Sequence, residues 1–243
     1  MIVLKSMKKI EFENYSQIFD EYISIFKNHE GINDICWSGT VSDPGISDLD
    51  IILIIDSWRD FKPSLRMLNP ERISKIFYHG PIICNKKYIK EFFSFTNLNI
   101  FKNFNKKNID IFNQINNNKF DCFIRQIFYF NNFKNLSIKK NIDRSVLLNL
   151  KSIVHSFNDM INFDFLKSNY QIEEIREISN NLRYQFKKNN YQNFNYDKSE
   201  LISDNINKVF LNAEENLNIY FNNQITKKNI NNNEHFQILI DKI

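Results

Sequence analysis

The chain has 243 residues and a formal net charge of +4 at neutral pH, with 24 Phe, 4 Gly, a single Ala (Ala213) and about 40 Asn. That length allows one large domain or two small ones, and the positive charge comes in pairs such as Lys139-Lys140 and Lys187-Lys188, which argues against a polynucleotide-binding stripe. Cys36, Cys84 and Cys122 lack the spacing of a disulfide framework or zinc site, and the longest nearly apolar run, Leu49 to Ile55, is too short to span a bilayer, so a cytoplasmic protein with reduced thiols and no membrane span is expected.

Tyr15, Ile18, Phe19, Tyr22, Ile23 and Phe26 recur at helical spacing and predict an amphipathic helix over 14–29, stopped at Gly31. Asp34 to Ser38 reads as a short strand ending at Gly39. A loop from Val41 to Ser47 follows, with Asp43-Pro44-Gly45 as its turn signal. Leu49 to Ile55 is rich in β-branched residues and apolar around Asp50, the pattern of a buried central strand. Trp58 to Ile73 reads as a mixed helical connection interrupted by Pro63 and Pro70. Lys75 to Cys84 predicts a third strand broken at Gly80-Pro81, and 98–101 and 109–111 predict short strands. From position 82 onward there is neither Gly nor Pro, and helical periodicity runs over 120–133, 145–163, 172–187 and 199–221, with Asp143 or Ser145, and Ser199, as N-caps. The expected class is α+β: an α/β domain over 1–112, with a small mixed β-sheet flanked by helices, then a C-terminal helical bundle over 113–243. With little Ala, Phe takes much of the core.

Asp48 and Asp50 stand one apolar residue apart at a strand entrance. Alternation projects both carboxylates to one side and Leu49 to the other. Two anions held this close repel unless a cation compensates them. A divalent ion is the natural compensation, and magnesium commonly takes one or two carboxylates plus substrate phosphates and water. Upstream, Gly39 lets backbone approach a phosphate closely, and Thr40 offers a hydroxyl and an amide. Metal on one side and a phosphate cradle on the other describe a nucleoside triphosphate site.

The stretch Trp37-Ser38-Gly39-Thr40, seven spacer residues, then Asp48-Leu49-Asp50-Ile51 resembles the signature of the DNA polymerase beta-like nucleotidyltransferase superfamily. Thr40 stands where Ser is usual, and Ser38 replaces an apolar residue. The motif covers about 15 residues; the order helix, strand, loop, strand and helical C-terminal half extends the likeness loosely over the chain. The resemblance implies a nucleotidyltransferase domain that transfers a nucleoside monophosphate from a triphosphate such as ATP to an acceptor, with pyrophosphate leaving. It implies that Ser38, Gly39 and Thr40 bind the β and γ phosphates. Asp48 and Asp50 would hold one or two magnesium ions.

The family's third carboxylate lies in an apolar-Asp-apolar pattern on a later strand. Ile109-Asp110-Ile111 fits best: Ile109 and Ile111 share the core face, so Asp110 faces the cleft with Asp48 and Asp50. Phe120-Asp121-Cys122 is the runner-up, and a site with no third carboxylate is the remaining alternative. His79, on the third strand, either faces the site or is structural. Arg125, Arg144, Lys151, His155, Arg176 and Arg183 lie on predicted helices, where they either line the cleft or are paired and solvated. Without a basic stripe, a small-molecule acceptor is expected before a nucleic acid. The rival reading is a catalytically inactive nucleotidyltransferase-like protein, a binding or regulatory module such as an antitoxin-like partner of another protein.

Overall fold

Tyr15, Phe19, Tyr22 and Phe26 are all fully buried on one side of helix α1 (Phe12–Phe26), as their three-to-four spacing requires. The computed structural model describes residues 12–39, 41–68, 70, 80–96, 100–104, 118–133 and 137–226. After α1 come β1 (Ile32–Ser38), β2 (Asp50–Ile55), a short α2 (Leu65–Leu68), β3 (Ile82–Asn85), a 3-10 turn over Lys86–Tyr88, α3 (Ile89–Thr96) and β4 (Ile100–Asn103). The helical half follows: α4 (Lys119–Phe133), β5 (Asn141–Ile142), α5 (Arg144–Asn162), α6 (Tyr170–Lys188), β6 (Phe194–Asn195) and α7 (Ser199–Thr226). The described residues are thus mixed α and β, with seven α-helices, a four-stranded mixed sheet and a two-stranded one. None of the described helices is long and apolar enough to cross a membrane.

The larger sheet runs β3-β2-β1-β4, with β1 antiparallel to β2 and β4, and β2 parallel to β3. Its two faces separate by the period of two along each strand. Ile35 and Trp37 of β1 and Ile51, Leu53 and Ile55 of β2 pack with Leu49 against α1. Cys36, Ile52 and Ile54 pack with Cys84, Phe93 and Ile100 on the opposite face, beside α3. A strand covered on both faces needs apolar residues at every position, which explains the unbroken run in β2. By the same alternation Asp50 falls on the face of Ile52 and Ile54, away from α1.

A third core belongs to the helical half, drawn from Cys122, Leu147, Ile153, Phe157, Ile175, Leu182, Phe186, Ile206 and Phe210 among others. One residue of the β1–β2 loop, Ile46, is buried in it. The boundary expected near residue 112 lies outside the described residues.

Asp143 caps α5, its side chain accepting from the Val146 amide at 2.9 Å. Asn169 does the same for α6 through the Ile172 amide at 3.0 Å. Three elements were not anticipated from the sequence: α3 and the pair β5 and β6. Of the predicted third strand the described part is β3, Ile82–Asn85, after Gly80-Pro81, while 75–79 and 109–111 lie outside the described residues. The strand expected over 98–101 overlaps β4, Ile100–Asn103, while 98 and 99 lie outside the described residues. All three cysteines are free and buried.

Candidate functional site

Because β1 and β2 are antiparallel neighbours, the loop joining them returns to the same end of the sheet, and Ser38 pairs directly with Asp50. Gly39 follows with φ +74, a conformation that L side chains rarely adopt. A Cβ placed there would stand 3.5 Å from Asp50 Oδ2, so the glycine turn lies over that carboxylate. Asp48 and Asp50 are both part-exposed, while Leu49 between them is fully buried. Ser38 is 1% exposed. Thr40, His79 and Asp110 lie outside the described residues.

The loop between the two halves of the motif is gripped on several sides. Within it, the Ile46 and Ser47 amides donate to the Asp43 carbonyl at 3.0 and 2.8 Å, and the Asp43 amide donates to Ser47 Oγ at 3.2 Å. From α1, the Tyr15 hydroxyl donates to the Ser47 carbonyl at 2.7 Å and accepts from the Gly45 amide at 3.1 Å. From α5, buried Arg144 donates to the carbonyls of Ile46 and Ser47 at 2.8 and 2.7 Å. From α6, Arg183 Nε donates to Asp43 Oδ2 at 2.7 Å and Lys187 pairs with Asp43 Oδ1. Gly45, at φ +87, lies against Tyr191: a Cβ there would meet the ring at 2.6 Å.

These contacts bring a set of cations to the carboxylate end of the sheet. Lys151 donates to Ser42 Oγ at 3.0 Å. Burial pushes its pKa down and the charge of Arg183 adds to that, while Asp43, Asp48 and Asp50 pull the other way. The charges of Asp48 and Asp50 thus act on the Lys151 ammonium. His155, one turn further along α5, is also pushed down, by partial desolvation first and then by Lys151 and Arg183. Tyr129 of α4 is raised by burial first, then by Asp159, with a smaller contribution from Asp50. Beside Asp50 stands the glycine turn, the feature that its motif singled out.

The remaining helical cations divide by partner. Arg125 is a buried ion pair with Asp159 at 2.9 Å and also donates to the Ser94 carbonyl. Arg176 pairs with Glu173 at 2.5 Å and donates to Asn158. Of the six candidates on predicted helices, Lys151, Arg144 and Arg183 hold the loop through Ser42, through Ile46 and Ser47, and through Asp43; His155 lies within the field of Lys151 and Arg183, and Arg125 and Arg176 are engaged elsewhere. Asp121, the alternative third carboxylate, is buried at the start of α4. It accepts from Ser94 Oγ at 2.7 Å and from the Asn118 amide at 3.1 Å, while its own amide donates to Asn118 Oδ1 at 3.0 Å. This reciprocal capping occupies it at the helix terminus.

Among the described residues no group of three or more His, Cys, Asp or Glu side chains is placed to hold a metal ion. The donor set on hand is a pair of carboxylates. Hard oxygens, part-exposed and beside a close-approach glycine, fit a magnesium ion that completes its shell with phosphate and water. No family model, curated protein or solved structure significantly matches this chain.

Proposed function

We propose that this protein is a magnesium-dependent nucleotidyltransferase that moves a nucleoside monophosphate from a triphosphate to a small-molecule acceptor. One observation carries the reading: the glycine turn at Gly39 lies over the carboxylate of Asp50, 3.5 Å from where a Cβ would stand, at the end of the sheet that also carries Asp48. Asp48 and Asp50 would hold the magnesium ion, which when bound neutralises phosphate charge and makes the α-phosphorus a better electrophile. Gly39 and Thr40 would bind the β and γ phosphates, as the resemblance implies, and the Gly39 backbone would admit a phosphate where a side chain would crowd it. Lys151, held over Ser42 within reach of the carboxylates, supplies a cation to the same phosphates.

In the reaction the acceptor oxygen forms a bond to the α-phosphorus as the bond to the bridging oxygen breaks, and pyrophosphate leaves. The acceptor proton would pass to Asp110, the third carboxylate that the resemblance implies. The second reading, an inactive binding or regulatory protein, draws on the commitment of Asp121 to helix capping, which makes a complete set of three depend on Asp110.

The test is turnover. Purified protein is incubated with magnesium, each α-labelled triphosphate and a small-molecule metabolite fraction. Labelled product with release of pyrophosphate, lost in Asp48→Asn and Asp50→Asn, is expected. Nucleotide binding without product, unchanged in Asp110→Asn, favours the inactive module; neither binding nor product removes both readings.

A further inference from the structure

We infer that Asp43 is a positioning residue whose carboxylate, gripped by α6, fixes the loop that sets where Asp48 stands. This rests on reading Asp48 and Asp50 as an ion site and concerns how that site is held. Both carboxylate oxygens are taken. Arg183 reaches Oδ2 through Nε at 2.7 Å and Nη2 at 2.5 Å, and Lys187 meets Oδ1. Arg183 is 7% exposed and Asp43 21%, so solvent screens this contact far less than a surface pair.

The grip passes down the main chain. The Asp43 carbonyl accepts from both Ile46 and Ser47, and the Asp43 amide donates to Ser47 Oγ, so Asp43 and Ser47 are joined in both directions. Ser47 precedes Asp48. A shift of Asp43 therefore moves the residue on which Asp48 is mounted. Arg144 and Tyr15 meet the turn at Gly45 to Ser47 through backbone atoms, and the Asp43 carboxylate is the charged tie of its first half to α6.

The tie serves the loop more than the bundle. α6 is seated by Ile172, Ile175, Leu182 and Phe186 in the helical core, to which Asp43 contributes nothing. Removing the carboxylate should therefore leave the helices packed while the loop loosens.

The experiment uses the full chain with Mn2+ as probe, followed by loss of the free-ion paramagnetic signal. Amide hydrogen exchange is measured in parallel over residues 41–50. Wild type, Asp43→Asn, Asp43→Glu and the control Asp50→Asn are compared. Asp43→Asn should keep the near-ultraviolet dichroism of wild type, speed exchange across the loop and weaken Mn2+ binding by about fivefold or more. Asp43→Glu, which keeps the charge, should recover most of both. If Asp43→Asn does not fold, Lys187→Gln takes its place with the same expectation in smaller degree. Loop exchange unchanged from wild type overturns the inference, and so does faster exchange with unaltered Mn2+ affinity. Equal Mn2+ binding by wild type and Asp50→Asn would overturn the ion-site reading instead. The loop exchange then decides the clamp alone: faster in Asp43→Asn supports it, and unchanged overturns it.

Discussion

Gly39 and Gly45 both carry positive φ, yet they should respond differently to the same substitution. At Gly39 a new Cβ would meet Asp50 Oδ2 at an ordinary 3.5 Å, so alanine there costs chiefly the left-handed backbone, roughly 1–2 kcal/mol. At Gly45 the same backbone cost is joined by a contact of 2.6 Å with the Tyr191 ring, and Tyr191 is itself held at φ +60. Urea unfolding should show Gly45→Ala losing more stability than Gly39→Ala; equal losses would mean the ring turns aside freely. Gly39→Ala should weaken triphosphate binding more than its stability loss alone explains. Asp43 has a pH signature of its own. Burial works to raise its pKa, but the hydrogen bond from Lys187 and the charge of Arg183 outweigh it and hold the carboxyl below its ordinary value. A depressed folded pKa gives stability that is present above the unfolded value, about 3.9, and lost as pH falls through the folded one. Urea midpoints should therefore drop more steeply below about pH 4 in wild type than in Asp43→Asn. Parallel curves would show that the ion pair contributes no pH-dependent stability.

At the scale of elements, the capping of α5 can be measured directly. Asp143→Ala removes the acceptor of the Val146 amide and should cost about 1 kcal/mol, read as a lower urea midpoint; Asp143→Asn, which keeps an acceptor, should cost much less. The sequence narrowed that cap to Asp143 or Ser145 ahead of a long helical period, and the structure selects Asp143. The strand β2 was legible too, since only a strand covered on both faces sustains Ile51 to Ile55 without a polar residue. The missed helix α3 has a signal in hindsight: Ile89, Phe92, Phe93 and Thr96 follow one helical face, and Asn85 accepts from the Lys87 amide at the start of the preceding turn. It was obscured by its eight-residue length and by aromatic residues that suit strands equally well. The two-residue strands β5 and β6 have no periodicity to read, because their pairing is decided by where the helices place them. In the candidate site, Gly39, Asp48 and Asp50 were visible as a spaced motif. Lys151, Arg183 and His155 were visible only as basic side chains on helices, since their convergence depends on how α5 and α6 dock on the loop.

At the scale of the molecule, two cores flank the sheet and a third lies within the helices, with Ile46 reaching into the last. The spacer of the motif is thereby built into the joint between sheet and helices, and Tyr15, Arg144, Arg183 and Lys187 fix it from both. A pair of carboxylates mounted beside such a joint is held by the whole fold, whereas carboxylates on an untethered loop could separate to relieve their repulsion. Lys151 offsets part of that repulsion, and a bound ion would offset more. The most direct measurement is calorimetric titration of ATP into the protein with and without magnesium, repeated on Asp48→Asn and Asp50→Asn. Binding that requires magnesium in wild type and falls by about tenfold or more in each variant, with the fold intact, is the predicted result. Affinity that is the same in all three proteins, or indifferent to magnesium in wild type, would contradict the assignment of Asp48 and Asp50 as the metal–nucleotide site.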